Sequence, residues 1–331
     1  MAVLITGVAG QDGLILAHFL KKQGVCFEGV CRDVQVQYVQ KAIPNFTPIN
    51  VDLSIKGNIS SILRELKPTK IFNFAGFSSV KDSWQYPELT FSLNTQLPKE
   101  IINWIINESP ETSLLQATSS EIFAGSLTTP QNESTTLSPL SPYGVSKAKT
   151  HEYLQEAREK FGLKLSSAIM YNHESPIRSP EFVTRHISKS IAGIALGQNE
   201  TLQIGNMNSI RDWGWAPDYV EVLVQYMNLD VALDFIVSTG IPLSVAALIE
   251  YGFQSIGISD YAKYVSFDEQ RIRSVDSQVL TGKSRILYDL LAWRPKVTIE
   301  NGISKMVEND IKLLMNPQLK NPLEWLLDEY Q

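Results

Sequence analysis

The stretch "SPYGVSK" sets Tyr143 and Lys147 four residues apart. On a helix such residues share a face. An ammonium beside a phenol favours the tyrosinate, so the phenol titrates closer to neutrality and serves as acid or base. Shortly before it, "QATSSE" closes an apolar run and supplies the hydroxyl of Ser119. A hydroxyl, a phenol and a lysine beside a nicotinamide make a hydride-transfer site, in which the phenol takes an alcohol proton as hydride leaves the carbon. Tyr-x-x-x-Lys also recurs by chance, so this chemistry needs a dinucleotide site elsewhere in the chain. "TGVAGQDG" offers one: Gly7, Gly10 and Gly13 lie directly after an apolar strand and directly before a helical pattern. Glycines there permit a tight turn and close approach of a pyrophosphate, and the helix N-terminus adds N–H groups and a favourable dipole.

These residues need a scaffold that brings them together. "AVLIT", "VCFEGVCR", "TKIFNFAG", "SLLQATSS", "KLSSAIMYN" and "LDFIVST" read as strands, with helical patterns such as "DGLILAHFLKKQG", "NISSILRELK", "LPKEIINWIINES" and "GVSKAKTHEYLQEAREKFG" between them. Apolar strands alternating with helices predict an α/β fold: a Rossmann-type, doubly wound parallel sheet covered on both faces. The pattern loosens after about residue 172. A dinucleotide-binding domain is therefore expected over 1–171, with 216–240 returning to it, and a smaller mixed α/β substrate lobe over 172–215 and 241–331. The end of the second strand reads "CRD". Arg32 there favours the 2′-phosphate of NADP, while Asp33 suits the ribose hydroxyl of NAD. Asp52, at another strand end, is of a type that bonds the adenine amino group.

Composition narrows the class. The chain has 331 residues, 44% hydrophobic and 19% charged, as a soluble globular protein with a sizeable core would. A net charge of -6 without a long basic run speaks against a nucleic-acid partner, so an anionic ligand must be held by a few placed Arg or Lys residues and backbone N–H groups. Neither a basic leader nor an apolar run of ~20 residues is visible, so no membrane partner is expected. Cys26 and Cys31 fit neither a CxxC nor a zinc spacing, and two reduced thiols suit a reducing cytoplasm. The four histidines, His18, His151, His173 and His186, show no ligand spacing, and no metal is expected.

With the glycine turn, the Ser/Tyr/Lys set and the alternating pattern in place, the chain resembles the extended short-chain dehydrogenase/reductases. "GQDG", "QATSSE", "YNHESP", "FVTRHIS", "SIRDWGWAPDYVE" and "FIVSTG" narrow the likeness to the GDP-mannose 4,6-dehydratase family, from Val3 to about Ile311. The resemblance implies that Gly7, Val8, Ala9, Gly10, Gln11, Asp12 and Gly13 bind the cofactor pyrophosphate, with Asp52 and Leu53 at the adenine. It implies that Phe74, Ala75, Gly76, Phe77 and Ser78 line the cofactor, with Tyr143, Lys147, His173 and Arg178 touching it. Ser119, in place of a family Thr, and Glu121, Tyr143 and Lys147 are implied as the catalytic set. Ser119, Asn172, Arg185, Arg211 and Arg271 are implied as the wall of the nucleotide-sugar pocket.

The implied reaction oxidises C4 of GDP-mannose, eliminates water across C5 and C6 with a carboxylate taking the C5 proton, and returns hydride to C6, giving a GDP-4-keto-6-deoxy sugar. NADP is the implied cofactor, with NAD the alternative, and a homodimer the implied assembly, with a tetramer open. The sequence departs from the family at Phe123 and an additional Ala124, and at Asp33 where the family has a second Arg. The segment after the second strand is much shorter, and "RIRSVD" keeps Arg271 and Asp276 of the family pattern while losing a Pro and a Glu. The alternatives are a related NDP-sugar 4,6-dehydratase, such as one for GDP-heptose, an epimerase, or a non-catalytic nucleotide-binding relative.

Overall fold

The computed structural model describes residues 3–198, 201–271, 279–318 and 321–327. In chain order the strands are β1 (Val3–Thr6), β2 (Phe27–Cys31), β3 (Ile49–Asn50), β4 (Lys70–Asn73), β5 (Ser113–Ser119), β6 (Leu165–Met170), β7 (Asn172–Glu174), β8 (Leu202–Ile204), β9 (Ile210–Trp215), β10 (Phe235–Val237), β11 (Pro242–Ser244), β12 (Val265–Phe267) and β13 (Val279–Leu280). The helices are α1 (Gln11–Lys22), α2 (Val36–Ala42), α3 (Asn58–Leu66), α4 (Pro87–Phe91), α5 (Leu97–Glu108), α6 (Pro142–Phe161), α7 (Val183–Ala195), α8 (Ala216–Tyr226), α9 (Val245–Ser255), α10 (Arg285–Leu291), α11 (Ile299–Met315) and α12 (Glu324–Leu327).

Seven strands form the expected parallel sheet, in the order β10-β6-β5-β4-β1-β2-β3. Runs such as "VLIT" and "LSSAIM" are buried along their whole length because helices cover both faces. Leu14, Leu16 and Phe19 of α1 and Val220 and Leu223 of α8 fill one side. Ile62 of α3, Ile101 and Ile105 of α5 and Leu154 of α6 fill the other. Each such side chain contributes about 1.5–3 kcal/mol on burial. The strand order reverses between β1 and β4, so a crevice opens at their C-terminal ends. Helix α6 starts beside that crevice: Ser141 Oγ accepts the Gly144 N–H (3.0 Å) and Pro142 occupies the first turn. Tyr143 and Lys147 thus enter the site from the first two turns of a rigid helix.

The smaller lobe is built around β9, paired parallel with β7 and β13 and antiparallel with β11. Ile187 and Ile191 of α7, Leu248 of α9 and Ile303 and Met306 of α11 pack around Trp213 and Trp215. The chain changes sheets with almost no slack. Tyr171 alone separates β6 from β7, and α8 begins on the residue after β9. The lobe does not take all of 241–331: Leu287, Trp293, Leu323 and Leu326 join the core of the large sheet, where α10 packs on β10.

Candidate active site

Backbone geometry makes the glycine turn. Gly7 has φ +70°, and a Cβ there would lie 2.7 Å from the Ala75 nitrogen. A Cβ on Gly13 would lie 2.4 Å from the Gly7 carbonyl oxygen. Gly10 caps α1 without a side-chain hydrogen bond, so no cap side chain competes for the first N–H groups of the helix, donors of the kind that hold an anion. Gly7, Ala9, Gly10 and Gln11 line a cavity of about 1160 Å³ that continues past Arg32, Asp52 and Leu53 and along Phe74 to Ser78. This cradle fits a dinucleotide. Val8 and Gly13 are buried and border neither this cavity nor the next, so they shape the turn rather than line the wall. Arg32 stands on the wall, whereas Asp33 accepts a hydrogen bond from Asn50 Nδ2 (2.8 Å) and does not. Hydrogen bonds from Ser54 hold the Asp52 carboxyl below the usual range.

A second cavity of about 600 Å³ adjoins the first, and Phe74, Gly76, Phe77, Ser78 and Arg178 border both. Ser119, Glu121, Tyr143 and Lys147 meet on its wall. Ser119 ends β5, and its Oγ accepts the Glu121 N–H (3.3 Å), starting a tight turn over Ser120–Phe123 that sets Glu121 beside the strand end. Tyr143 hydrogen-bonds Ser119, and its own N–H donates to Ser83 Oγ (3.2 Å). Lys147 Nζ lies 5.9 Å from the Tyr143 ring centre and donates to the Ala117 carbonyl (3.0 Å).

The expected near-neutral phenol is not what this arrangement gives. Burial pushes Tyr143 up to about 12, with the Ser119 hydrogen bond working against it and the Glu121 charge adding to it. Burial brings Lys147 down to about 8. Loss of hydration outweighs an ammonium that stands across the ring rather than at the phenol oxygen.

Where the second cavity meets α1, His173 Nε2 bonds both Asp12 oxygens (3.0 and 3.1 Å). Burial would raise Asp12 and lower His173, but their mutual attraction wins: Asp12 lies below its ordinary value and His173 above. Gln11 Nε2 donates to the His173 carbonyl (3.0 Å) and Ser175 Oγ donates to Gln11 Oε1 (2.7 Å), which ties the helix start to β7 and the segment after it. The Arg178 guanidinium lies 3.6 Å over the Phe182 ring, and its Nε lies 3.5 Å from buried Glu174.

Asn172, Arg211 and Arg271 line the second cavity with the Ser119 group. Arg211 is buried and donates to the Ile210 carbonyl (2.7 Å), and Arg271 is ion-paired with Asp268 (3.1 Å). Asp276 lies outside the described residues. Arg185 does not join them. Its guanidinium pairs with Asp310 and bonds Ser188 (3.1 Å), and it borders the first cavity, because α11 packs beside α7 and supplies a buried acid.

Two participants escaped the sequence. Asn94, in a widened turn over Ser92–Gln96, accepts the Phe77 N–H (2.8 Å) and donates to the Phe77 carbonyl (3.0 Å), fixing the stretch that borders both cavities. Tyr219 stacks on His173 at 5.0 Å. The run "SLNTQ" carries no signal for the first. The second lies in the quoted "APDYVE", where apolar helical spacing reads simply as core.

A family profile described as GDP-mannose 4,6 dehydratase matches residues 4–306. The chain belongs to that family. A GDP-mannose 4,6 dehydratase of Dictyostelium discoideum is 32% identical, over 95% of this chain and 96% of the relative. A GDP-mannose 4,6-dehydratase of Vibrio cholerae is 30% identical, over 94% of each. Among solved structures, a Thermus thermophilus UDP-glucose 4-epimerase in complex with NAD superposes with TM-score 0.81 at 22% identity, covering 94% of this chain and 99% of that one. The dTDP-glucose 4,6-dehydratase of Bacillus anthracis in complex with NAD gives 0.79 at 18% identity, covering 98% and 100%. Among the described residues, no helix is long and apolar enough to cross a membrane.

Proposed function

We propose that the chain converts GDP-mannose to its 4-keto-6-deoxy derivative, as the names of its relatives suggest. The observation that carries this is the second cavity, where Ser119, Glu121, Tyr143 and Lys147 stand together beside the cofactor stretch. Ser119 hydrogen-bonds the phenol and orients the sugar 4-hydroxyl toward it. When bound, the nicotinamide supplies the hydride acceptor for C4, the donor for C6 and a positive charge that favours the tyrosinate. Tyr143 takes the 4-hydroxyl proton, with Lys147 stabilising the phenolate across the ring. Ketone formation acidifies the C5 proton; Glu121 takes it and passes it to the 6-hydroxyl, which leaves as water, and the proton first taken by Tyr143 balances the one added at C5 when hydride returns to C6. Arg211 and Arg271 hold the diphosphate end, and Asn172 lines the sugar.

NADP is the proposed cofactor, supported by Arg32 facing the cavity while Asp33 is turned to Asn50. A homodimer and a cytoplasmic setting complete the proposal. The test is incubation of the purified protein with GDP-, UDP-, CDP- and dTDP-sugars. GDP-mannose should lose one water with no net change in added NADP. Turnover of another sugar alone, or steady accumulation of NADPH, overturns the assignment.

A further inference from the structure

Beneath the cofactor stretch, three buried polar side chains form one directed line of hydrogen bonds. The Ala75 N–H donates to Thr6 Oγ1 (3.2 Å), and Thr6 Oγ1 donates to Asn73 Oδ1. Asn73 Nδ2 donates to Gln116 Oε1 (2.6 Å), and Gln116 Nε2 donates to the Ala117 carbonyl (2.9 Å). Lys147 Nζ ends the line on that same carbonyl (3.0 Å). Sheet register creates it: Thr6 pairs with Asn73 across β1 and β4, and Asn73 with Gln116 across β4 and β5. Cross-strand partners lie on one face within reach of each other. Thr6, Asn73 and Gln116 are at most 1% exposed and border neither cavity, so they touch neither cofactor nor sugar.

We propose that Gln116 is a positioning residue for Lys147, acting through the Ala117 carbonyl. A carbonyl oxygen has two lone pairs and an ammonium has three donors. Gln116 fills one lone pair, so the ammonium is confined to the other and keeps two N–H groups for the cavity. Lys147 otherwise faces Tyr143 from its own helix and Gly76 from the cofactor stretch, whose missing Cβ would stand 3.5 Å from Nζ and 2.7 Å from Asn94 Oδ1. The line also ends at Ala75, so the lysine and the cofactor stretch are set by the same sheet register.

The inference rests on the proposed use of Lys147, and its test separates the two. Gln116→Met fills similar volume but can neither donate to the Ala117 carbonyl nor accept from Asn73. Freed of its competitor, the ammonium is drawn onto the carbonyl, away from the cavity. The kcat for dehydration should fall about tenfold, with KM within about twofold, as for a small misplacement of a reacting group. Reductive methylation of Lys147 in the ligand-free protein, read by mass spectrometry against pH, should shift its midpoint upward by about half a unit, since the charged form gains the better acceptor. That labelling needs no substrate, so it decides the inference even if GDP-mannose is not turned over. Gln116→Asn, which withdraws the amide by one carbon, serves if the Met variant does not fold. A lower melting temperature with unchanged kcat and unchanged labelling midpoint overturns the proposal and leaves the line a structural feature only.

Discussion

Asp12→Asn tests the charge pair at the start of α1. The wild-type carboxylate accepts from His173 at 3.0 and 3.1 Å, with side chains only 9% and 19% exposed. Hydrogen bonds to charged groups contribute about 1.5–3 kcal/mol. His173 is buried and can return to its neutral form once its partner is gone, so the loss should stay near the lower half of that range. At roughly 1.4 °C per kcal/mol for a chain of 331 residues, melting should fall by about 2–3 °C. The pH dependence gives the sign. His173 is raised above 6.5, so its contribution is complete below that value and is lost as pH rises through its folded pKa. Asp12 is lowered below 3.8, so its contribution is complete above that value and is lost as pH falls through its folded pKa. The gap between wild type and variant should therefore be full at pH 6 and should shrink markedly by pH 9. Thermal unfolding of the ligand-free protein at both values measures it. An equal gap at the two pH values would refute a charged pair and reduce the contact to neutral hydrogen bonds.

Tyr143→Phe should lower hydride transfer about 10²–10⁴-fold with an unchanged melting temperature, read by single-turnover absorbance of the reduced nicotinamide. Glu121→Gln should stall after oxidation, holding a 4-keto sugar that retains its 6-hydroxyl, and mass spectrometry of the bound sugar would expose continued loss of water. Arg32→Ala should weaken NADP binding roughly 10–100-fold, since a charge-assisted hydrogen bond is lost, and leave NAD binding nearly unchanged, as fluorescence titration with each would reveal.

The sheet was legible because its strands are continuous apolar runs, and the glycine turn because no other residue type fits a φ of +70° against Ala75. The short β3 gave no periodicity, having two residues and deriving its place from β2 alone. Tyr143 and Lys147 could be placed on one helical face from spacing, but spacing is blind to hydration, and burial set the direction of both shifts. Arg185 sat in a matched motif, yet its guanidinium goes to Asp310, more than a hundred residues away in the chain, a pairing that only helix packing reveals. The C-terminal helices look alike by amphipathicity. Which sheet each would cover depended on Leu287 and Trp293 on one side and Ile303 and Met306 on the other.

The tight passages between the two sheets have a mechanical meaning. Tyr171 is buried, its N–H bonds the Val237 carbonyl (3.0 Å) and its hydroxyl bonds Gln131 (2.9 Å), so it is clamped rather than free to swivel. Another passage, from Trp215 to Ala216, runs straight into a helix. Further crossings follow over 238–241, between β10 and β11, and over 281–284, between β13 and α10, so the lobes are tied at several points and the links oppose any single hinge. The second cavity, whose wall draws Tyr143 from one lobe and Arg211 from the other, therefore inherits its width from several joins at once.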